Sequence, residues 1–345
     1  VKRASFLRFS APSIALMLLL LALPMAMTLW LSVRTCTPEL ELVTVEVTGP
    51  FAPQQVITQR QTLDAAGRPV ERCGFVGLEY YRKVLGLDRT AAREAADAAP
   101  SAKGKAAATA GDAEGTYNEF LSALGFTLFY TLATTPFVLA GGLALALAMN
   151  GVTRRLRGAF IAASLLPFII TPVVGALAIK WLFRDNGLVS SLLAEVGVQI
   201  FWMAQAWSAR LLIVVYGVWH VLPFAFIVFY AGLQGVPQDS LEAATLDGAS
   251  RWQKLRYVTL PHLAPLVVFV TLIHLMDAYR VFEPVLVLTK GAFTGSVQYL
   301  TYTLLLEENN PYKASAAAVL TLLGIAVLLV PLLRRTWREQ RGGPG

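Results

Sequence analysis

Residues 242–261 read EAATLDGASRWQKLRYVTLP, a polar, helix-prone segment set between two long runs that carry no charge. A helix start is expected just ahead of it, where Asp239 can cap backbone N–H groups after Pro237 and Glu242 returns three residues later, as in a capping box. Ala243 and Ala244 are small enough for another surface to approach, and Gly248 permits a sharp change of direction. Trp252, Leu255 and Val258 then recur at threefold spacing as an apolar stripe on a second helix, which Pro261 closes. The pattern predicts a helix-turn-helix over 237–261, a shape suited to a groove in another protein.

The rest of the chain is of another character. Of 345 residues 56% are hydrophobic and only 15% charged, against about 25% charged in an average soluble domain, and the mean hydropathy is +0.57. Residues 9–33, 120–153, 158–179, 211–238, 257–276 and 314–333 contain no Asp, Glu, Lys or Arg. Each run supplies the ~20 residues a helix needs to cross ~30 Å of hydrocarbon. The expected fold is therefore all-α and membrane-embedded, with six transmembrane helices. Its parts are a first helix at 9–33, an outer loop at 34–119, and a core of five further helices at 120–338 that includes 237–261. The first run follows Lys2, Arg3 and Arg8 as a signal peptide would, but its length and the lack of a small-x-small site favour a retained membrane helix.

Short loops orient the chain. Arg154, Arg155 and Arg157 in NGVTRRLRG (150–158), Arg334, Arg335, Arg338 and Arg341 in the tail, and Arg251, Lys254 and Arg256 in the opening stretch all fall on one side with the basic N-terminus. The positive-inside rule makes that side, and both termini, cytoplasmic. The net charge of +7 then reflects topology, and no nucleic-acid partner is expected.

Cys36 and Cys73, the two cysteines of the chain, share the outer loop, where an oxidising compartment favours their pairing. The later part of that loop, DRTAAREAADAAPSAKGKAAATAGDAEG (88–115), is Ala-rich and poor in large apolar residues, so an exposed helix or mobile insert is expected. Between runs three and four, RDNGLVSSLLAEVGVQIFWMAQAWSAR (184–210) turns at Asn186-Gly187 and continues as an interfacial helix, with Trp202 and Trp207 at headgroup level.

The arrangement Glu-Ala-Ala, three residues, Gly, nine residues, an aliphatic, one residue, Leu-Pro at 242–261 resembles the signature of ABC importer permeases, the membrane subunits of binding-protein-dependent uptake systems. FVGLEYYRKVLG (75–86), RGAFIAASLLPFIITPVVGALAIKWLFRDNGLVSSLL (157–193) and VFEPVLVLTKGAF (281–293) are similar to segments of the carbohydrate-uptake branch, of maltose and glycerol-phosphate type. The resemblance runs from about residue 9 to 338. It departs in the insert at 87–116 and in TKGAF, where Gly-Gly-Pro is more usual.

The resemblance implies that Glu242, Ala243, Ala244, Asp247 and Gly248 belong to a coupling helix docking on a cytoplasmic ATPase. It further implies a second permease subunit, two ATPase subunits, an extracytoplasmic solute-binding protein and a sugar, oligosaccharide or polyol as solute, in a bacterial or archaeal cytoplasmic (inner) membrane. ATP and Mg would be held by the ATPases. In agreement, no G-x-x-x-x-G-K-[ST] phosphate loop occurs in this sequence. No cofactor, metal or catalytic residue is expected on this chain.

Run five ends in HLMDAYRVFEPVLVL (274–288), which places Asp277, Arg280 and Glu283 within membrane reach on neighbouring faces of one helix. An ionised group at the bilayer centre costs about 2.5–3.5 kcal/mol on insertion scales, so such groups face protein or water. They are candidates either for solute contacts or for a structural ion pair in which Arg280 meets one of the acids. On run four, Tyr216, His220 and Phe224 repeat every four residues, which suits a sugar's CH face and equally suits helix packing. Two other classes stand as alternatives. An ion- or proton-coupled carrier would use Asp277, Arg280 and Glu283 as its relay; a membrane enzyme is disfavoured because His220, His262 and His274 are scattered without metal spacing.

Overall fold

The computed structural model describes residues 3–38, 40–48, 53–62, 70–85, 103–149 and 151–341. Apolar runs in hydrocarbon must satisfy their backbone groups internally, and helices do so within one segment. Among the described residues five helices are long and apolar enough to cross a membrane, Ser10–Ser32, Glu119–Met149, Ala206–Gln234, Arg251–Tyr279 and Pro311–Arg334, with a bent pair, Arg154–Ile169 and Pro172–Glu195, between the second and third of these. Counting the pair as one broken span gives six.

The helices are labelled in chain order. α1 is Arg3–Ser32, α2 Glu79–Leu85, α3 Lys103–Met149, α4 Arg154–Ile169, α5 Pro172–Phe183, α6 Leu188–Glu195 and α7 Ala206–Gln234. They continue as α8 Gln238–Leu246, α9 Arg251–Lys254, α10 Leu260–Tyr279, α11 Val297–Leu306 and α12 Pro311–Arg341.

Two expectations about the spans are corrected. Run 158–179 is not one straight helix, because the pair bends by 95°. Pro172 offers no N–H and disfavours the helical region for its predecessor, so Thr171 turns to φ −59°, ψ 142° and α5 begins afresh with the proline in its first turn. Pro261 does not close a helix either. α9 runs through a π turn, Leu255–Thr259, directly into α10. The Leu260 N–H donates to the Leu255 carbonyl, and Pro261 sits in the first turn that follows. The wide turn rotates the register, so the threefold stripe is lost: Trp252 is 64% exposed while Leu255 and Val258 are half-buried.

Two compact units are distinguished, Val1–Tyr117 with Leu304–Val319, and Asn118–Thr303 with Leu320–Gly345. In the first, the outer segment adds strands that an all-α expectation lacks. β1 (Arg34–Pro38) pairs antiparallel with β4 (Glu71–Phe75), and β2 (Leu40–Thr48) with β3 (Pro53–Gln61). Tyr81 Oη donates to Ser32 Oγ at 2.7 Å and Tyr80 Oη to Thr35 Oγ1 at 2.7 Å, tying α2 back to the end of α1 and to β1. The Tyr80 ring stacks on Tyr312 at 6.0 Å. Of the Ala-rich insert, 103–116 form the start of α3, and 87–102 lie outside the described residues.

Cys36 lies opposite Cys73 in the β1–β4 register, and the two form a disulfide across 37 residues. Closing such a loop restricts the unfolded chain by about 3–4 kcal/mol. Peptide mapping of protein isolated without reductant is expected to yield one linked Cys36–Cys73 pair, and replacing both by Ser is expected to lower the thermal stability of the outer segment. Two freely alkylated thiols would contradict the pairing.

The second unit packs α3, α7 and α10 together. Val138, Ala146 and Met149 of α3 meet Ala225, Phe226 and Phe229 of α7 and Val270 of α10. A neighbouring cluster joins Phe126 and Tyr130 of α3, Ala176 of α5, Leu212 and Tyr216 of α7, and Val285 and Leu288 beyond α10. Trp202 packs edge-on against Phe183 at 5.0 Å and is half-buried, so it does not present itself to headgroups as expected. Trp207 is exposed and donates to Gln205 Oε1 at 2.7 Å. In TKGAF, Lys290, Gly291 and Phe293 all take positive φ, and the Tyr299 hydroxyl donates to the Lys290 carbonyl at 2.9 Å.

Candidate functional site: a coupling helix and a polar cavity

α8 is short, and its polar surface faces solvent. Pro237 occupies the N-cap with no side-chain capping bond, so the expected box of Asp239 and Glu242 does not form. With the proline there, Asp239 falls inside the first turn, where its charge complements the helix dipole. A capping box forms one helix later: the Gln253 N–H donates to Ser250 Oγ at 3.3 Å and the Ser250 N–H to Gln253 Oε1 at 2.7 Å.

The end of α8 is closed by backbone geometry. Gly248 has φ +75°. The Ala249 N–H donates to the Ala244 carbonyl at 2.9 Å and the Gly248 N–H to the Thr245 carbonyl at 3.0 Å, the two bonds of a Schellman turn. Lys254 Nζ donates to Thr245 Oγ1 at 2.7 Å, bracing the second helix on the first. Glu242, Ala243, Asp247 and Gly248 are exposed and Ala244 is half-buried. Leu246, which the sequence reading passed over, is 89% exposed.

Tyr216, His220, Asp277, Arg280 and Glu283 line one cavity of about 120 Å³. The three charged residues do not share one helix as expected. α10 ends at Tyr279, Arg280 has φ −98°, ψ 21°, and Glu283 lies beyond this break. Among the described residues, Arg280 forms no ion pair with either acid.

The α7 stripe divides between two tasks. Tyr216 Oη donates to the Pro172 carbonyl at 2.7 Å, and His220 Nδ1 lies 2.8 Å from the Pro167 carbonyl. Both therefore hold the broken span at its bend, while their rings stack on each other at 5.7 Å. Phe224 is not on the cavity wall. It stacks on Phe168 at 6.0 Å and meets Phe269 at 6.5 Å, so packing accounts for it.

Two polar wall residues were missed from sequence, Tyr130 of α3 and His274 of α10. His274 lies three positions before Asp277, one turn along the same face of α10, and that spacing was the available signal. Tyr130 sits in an uncharged run with nothing to mark it. A larger cleft of about 620 Å³ opens at the far end of α5, where Trp181, Phe201 and Met203 stand beside Lys180, Arg184 and Asp185; Lys180 Nζ is committed to the Val287 carbonyl at 2.6 Å.

Residues 113–341 match the family described as binding-protein-dependent transport system inner membrane component. The arabinooligosaccharides transport system permease protein of Halalkalibacterium halodurans is 30% identical over 65% of this chain and 73% of its own length. The trehalose transport system permease protein of Mycobacterium tuberculosis is 35% identical over 64% of this chain and 72% of its own. Among solved structures, a bacterial ABC transporter involved in import of the acidic polysaccharide alginate superposes with a TM-score of 0.59 at 24% identity, covering 64% of this chain and 80% of that one.

Proposed function

The chain belongs to the family of binding-protein-dependent transport system inner membrane components, and on that premise we propose that it forms part of the path by which a sugar, oligosaccharide or polyol crosses the membrane. As a family member it is a multi-pass inner-membrane permease of an ABC importer, with no catalytic role of its own. A second permease, two ATPases carrying ATP and Mg, and an extracytoplasmic solute-binding protein complete the proposed assembly, with both termini of this chain in the cytoplasm. Membership in an ATP-driven family sets aside the ion-coupled carrier.

The observation that carries the solute reading is the cavity, where Asp277, Arg280 and Glu283 converge beside the Tyr216 and His220 rings. Polar groups inside a membrane face protein or water, and a few placed among aromatic rings suit a ligand with many hydroxyls. The relatives named for arabinooligosaccharides and trehalose support the same class. The alginate transporter's likeness is one of fold, and its acidic cargo does not carry over.

Uptake of labelled mono- and disaccharides by proteoliposomes holding the whole complex tests the reading. Transport is expected to require both ATP and the binding protein, and sugar uptake independent of them would overturn it. Arg280→Gln is expected to reduce uptake about ten- to a hundredfold, the loss of one charged hydrogen bond of about 1.5–3 kcal/mol. Assembly with the ATPases should survive, because Arg280 lies on the cavity wall. Stable Arg280→Gln complexes that transport normally would remove these residues from the solute path.

A further inference from the structure

The hydrogen-bond partners around the cavity fix which way its polar atoms face. The Thr134 hydroxyl, with one proton to give, donates to the Tyr130 carbonyl at 2.9 Å. With that proton committed to the backbone, the 3.0 Å contact with His274 Nε2 carries the histidine's own proton. His274 Nδ1 is left as a bare acceptor, and it is buried without any partner in a residue only 1% exposed. A buried polar atom of this kind calls for a group not yet in place.

The same logic applies on the opposite wall. A carbonyl oxygen can only accept, so His220 Nδ1 carries a proton toward Pro167 and, in the neutral ring, Nε2 is an acceptor. Tyr216 spends its proton on the Pro172 carbonyl and keeps only lone pairs for a ligand. Asp277 and Glu283 add two carboxyl groups. Against these acceptors stand the Arg280 guanidinium and the Tyr130 hydroxyl as side-chain donors among the lining residues.

We propose that this acceptor-rich cavity takes its solute as a set of hydroxyl or ammonium donors and rejects anionic sugars, with His274 as an additional solute-positioning residue. The proposal rests on the importer reading above and specifies the charge class of its solute. A neutral or amino sugar brings donors to the acceptors that line the cavity. A uronate brings a carboxylate to lone pairs and acidic side chains, with one guanidinium to offset them, and loses its hydration on entry.

Saturation-transfer NMR on the purified complex of permeases and ATPases, without binding protein, reads this wall directly and is unaffected by the binding protein's own selectivity. The probes are methyl α-glucoside, glucosamine and glucuronate. The first two are expected to bind and glucuronate to bind at least ~10-fold more weakly, a difference of about 1.4 kcal/mol or more. His274→Leu is expected to weaken the glucoside by a similar factor, while His274→Asn, which keeps an acceptor near the Nδ1 position, restores part of it. Asp277→Asn combined with Glu283→Gln should narrow the gap between glucoside and glucuronate.

Glucuronate binding as tightly as the glucoside in the unaltered complex overturns the proposal, as does the absence of sugar binding or an assembled His274→Leu complex that binds the glucoside normally. Should His274→Leu fail to assemble, the unaltered complex and the double variant decide. In each of these cases ATP- and binding-protein-dependent uptake would leave the importer reading standing, so the two fail separately.

Discussion

Glu242→Lys and Gly248→Val are each expected to bring solute-stimulated ATP hydrolysis and uptake close to background while the protein still inserts and binds its second permease. Force must pass between chains that share no covalent link, so the transmitting element has to be rigid and shaped for a groove. α8 meets both needs. Its C-terminus is closed by the two Schellman bonds, and Lys254 braces it from the next helix. Glu242 lies on its exposed surface, so Lys there reverses the charge that the helix presents to a docking partner. Gly248 separates two causes: a Cβ there would meet nothing within 4 Å, so a side chain is resisted by its φ of +75° and by nothing in this chain. Val in that region costs on the order of 1–2 kcal/mol or more, enough to unwind the turn without unfolding the membrane core. Gly248→Asn, which tolerates left-handed backbone, should retain most coupling. Hydrolysis and uptake measured with the binding protein present decide the matter, and unaltered coupling in both disruptive variants would mean that α8 is not the transmission element.

What could be read beforehand follows from the range of each interaction. The spans were legible because about twenty uncharged residues leave the chain few alternatives to a membrane helix. The turn at Gly248 was legible because its signal is local. Pro172 was equally visible, yet taking 158–179 as one charge-free run conceals the break that it causes. The alternation in LELVTVEVT (40–48) marks a strand by its period of two, a pattern that the Ala-rich stretch later in the same loop does not share. The π turn at Leu255–Thr259 has no comparable sequence pattern. In the cavity, Asp277, Arg280 and Glu283 stood out because charge is costly in a membrane. His274 did not, since its acceptor atom is defined by Thr134, 140 residues away in sequence.

Gly142→Val is expected to be strongly destabilising to the membrane core, with little folded protein recovered. Val138, Gly142 and Ala146 lie on one face of α3, four residues apart, and all three are buried. That face meets α7 almost backbone to backbone: a Cβ on Gly142 would lie 2.6 Å from Ala225 Cβ and 3.0 Å from the Phe226 nitrogen. Backbone cannot rotate aside as a side chain can, so the two helices would have to separate. Separation forfeits the packing of Phe226 and Phe229, both buried to within 1%. In a bilayer, where helices associate by close packing of small residues and gain no hydrophobic drive from water, no other contribution replaces that loss. Overpacking alone costs about 1–3 kcal/mol, and the lost contacts add to it. Gly125, on an exposed part of the same helix, has nothing within 4 Å of a Cβ, so Gly125→Ala should be neutral or gain about 1 kcal/mol of helix propensity. Thermal unfolding of the two purified variants in the same detergent separates the explanations. A Gly142→Val protein as stable as Gly125→Ala would show that α3 and α7 do not approach as closely as this fold requires.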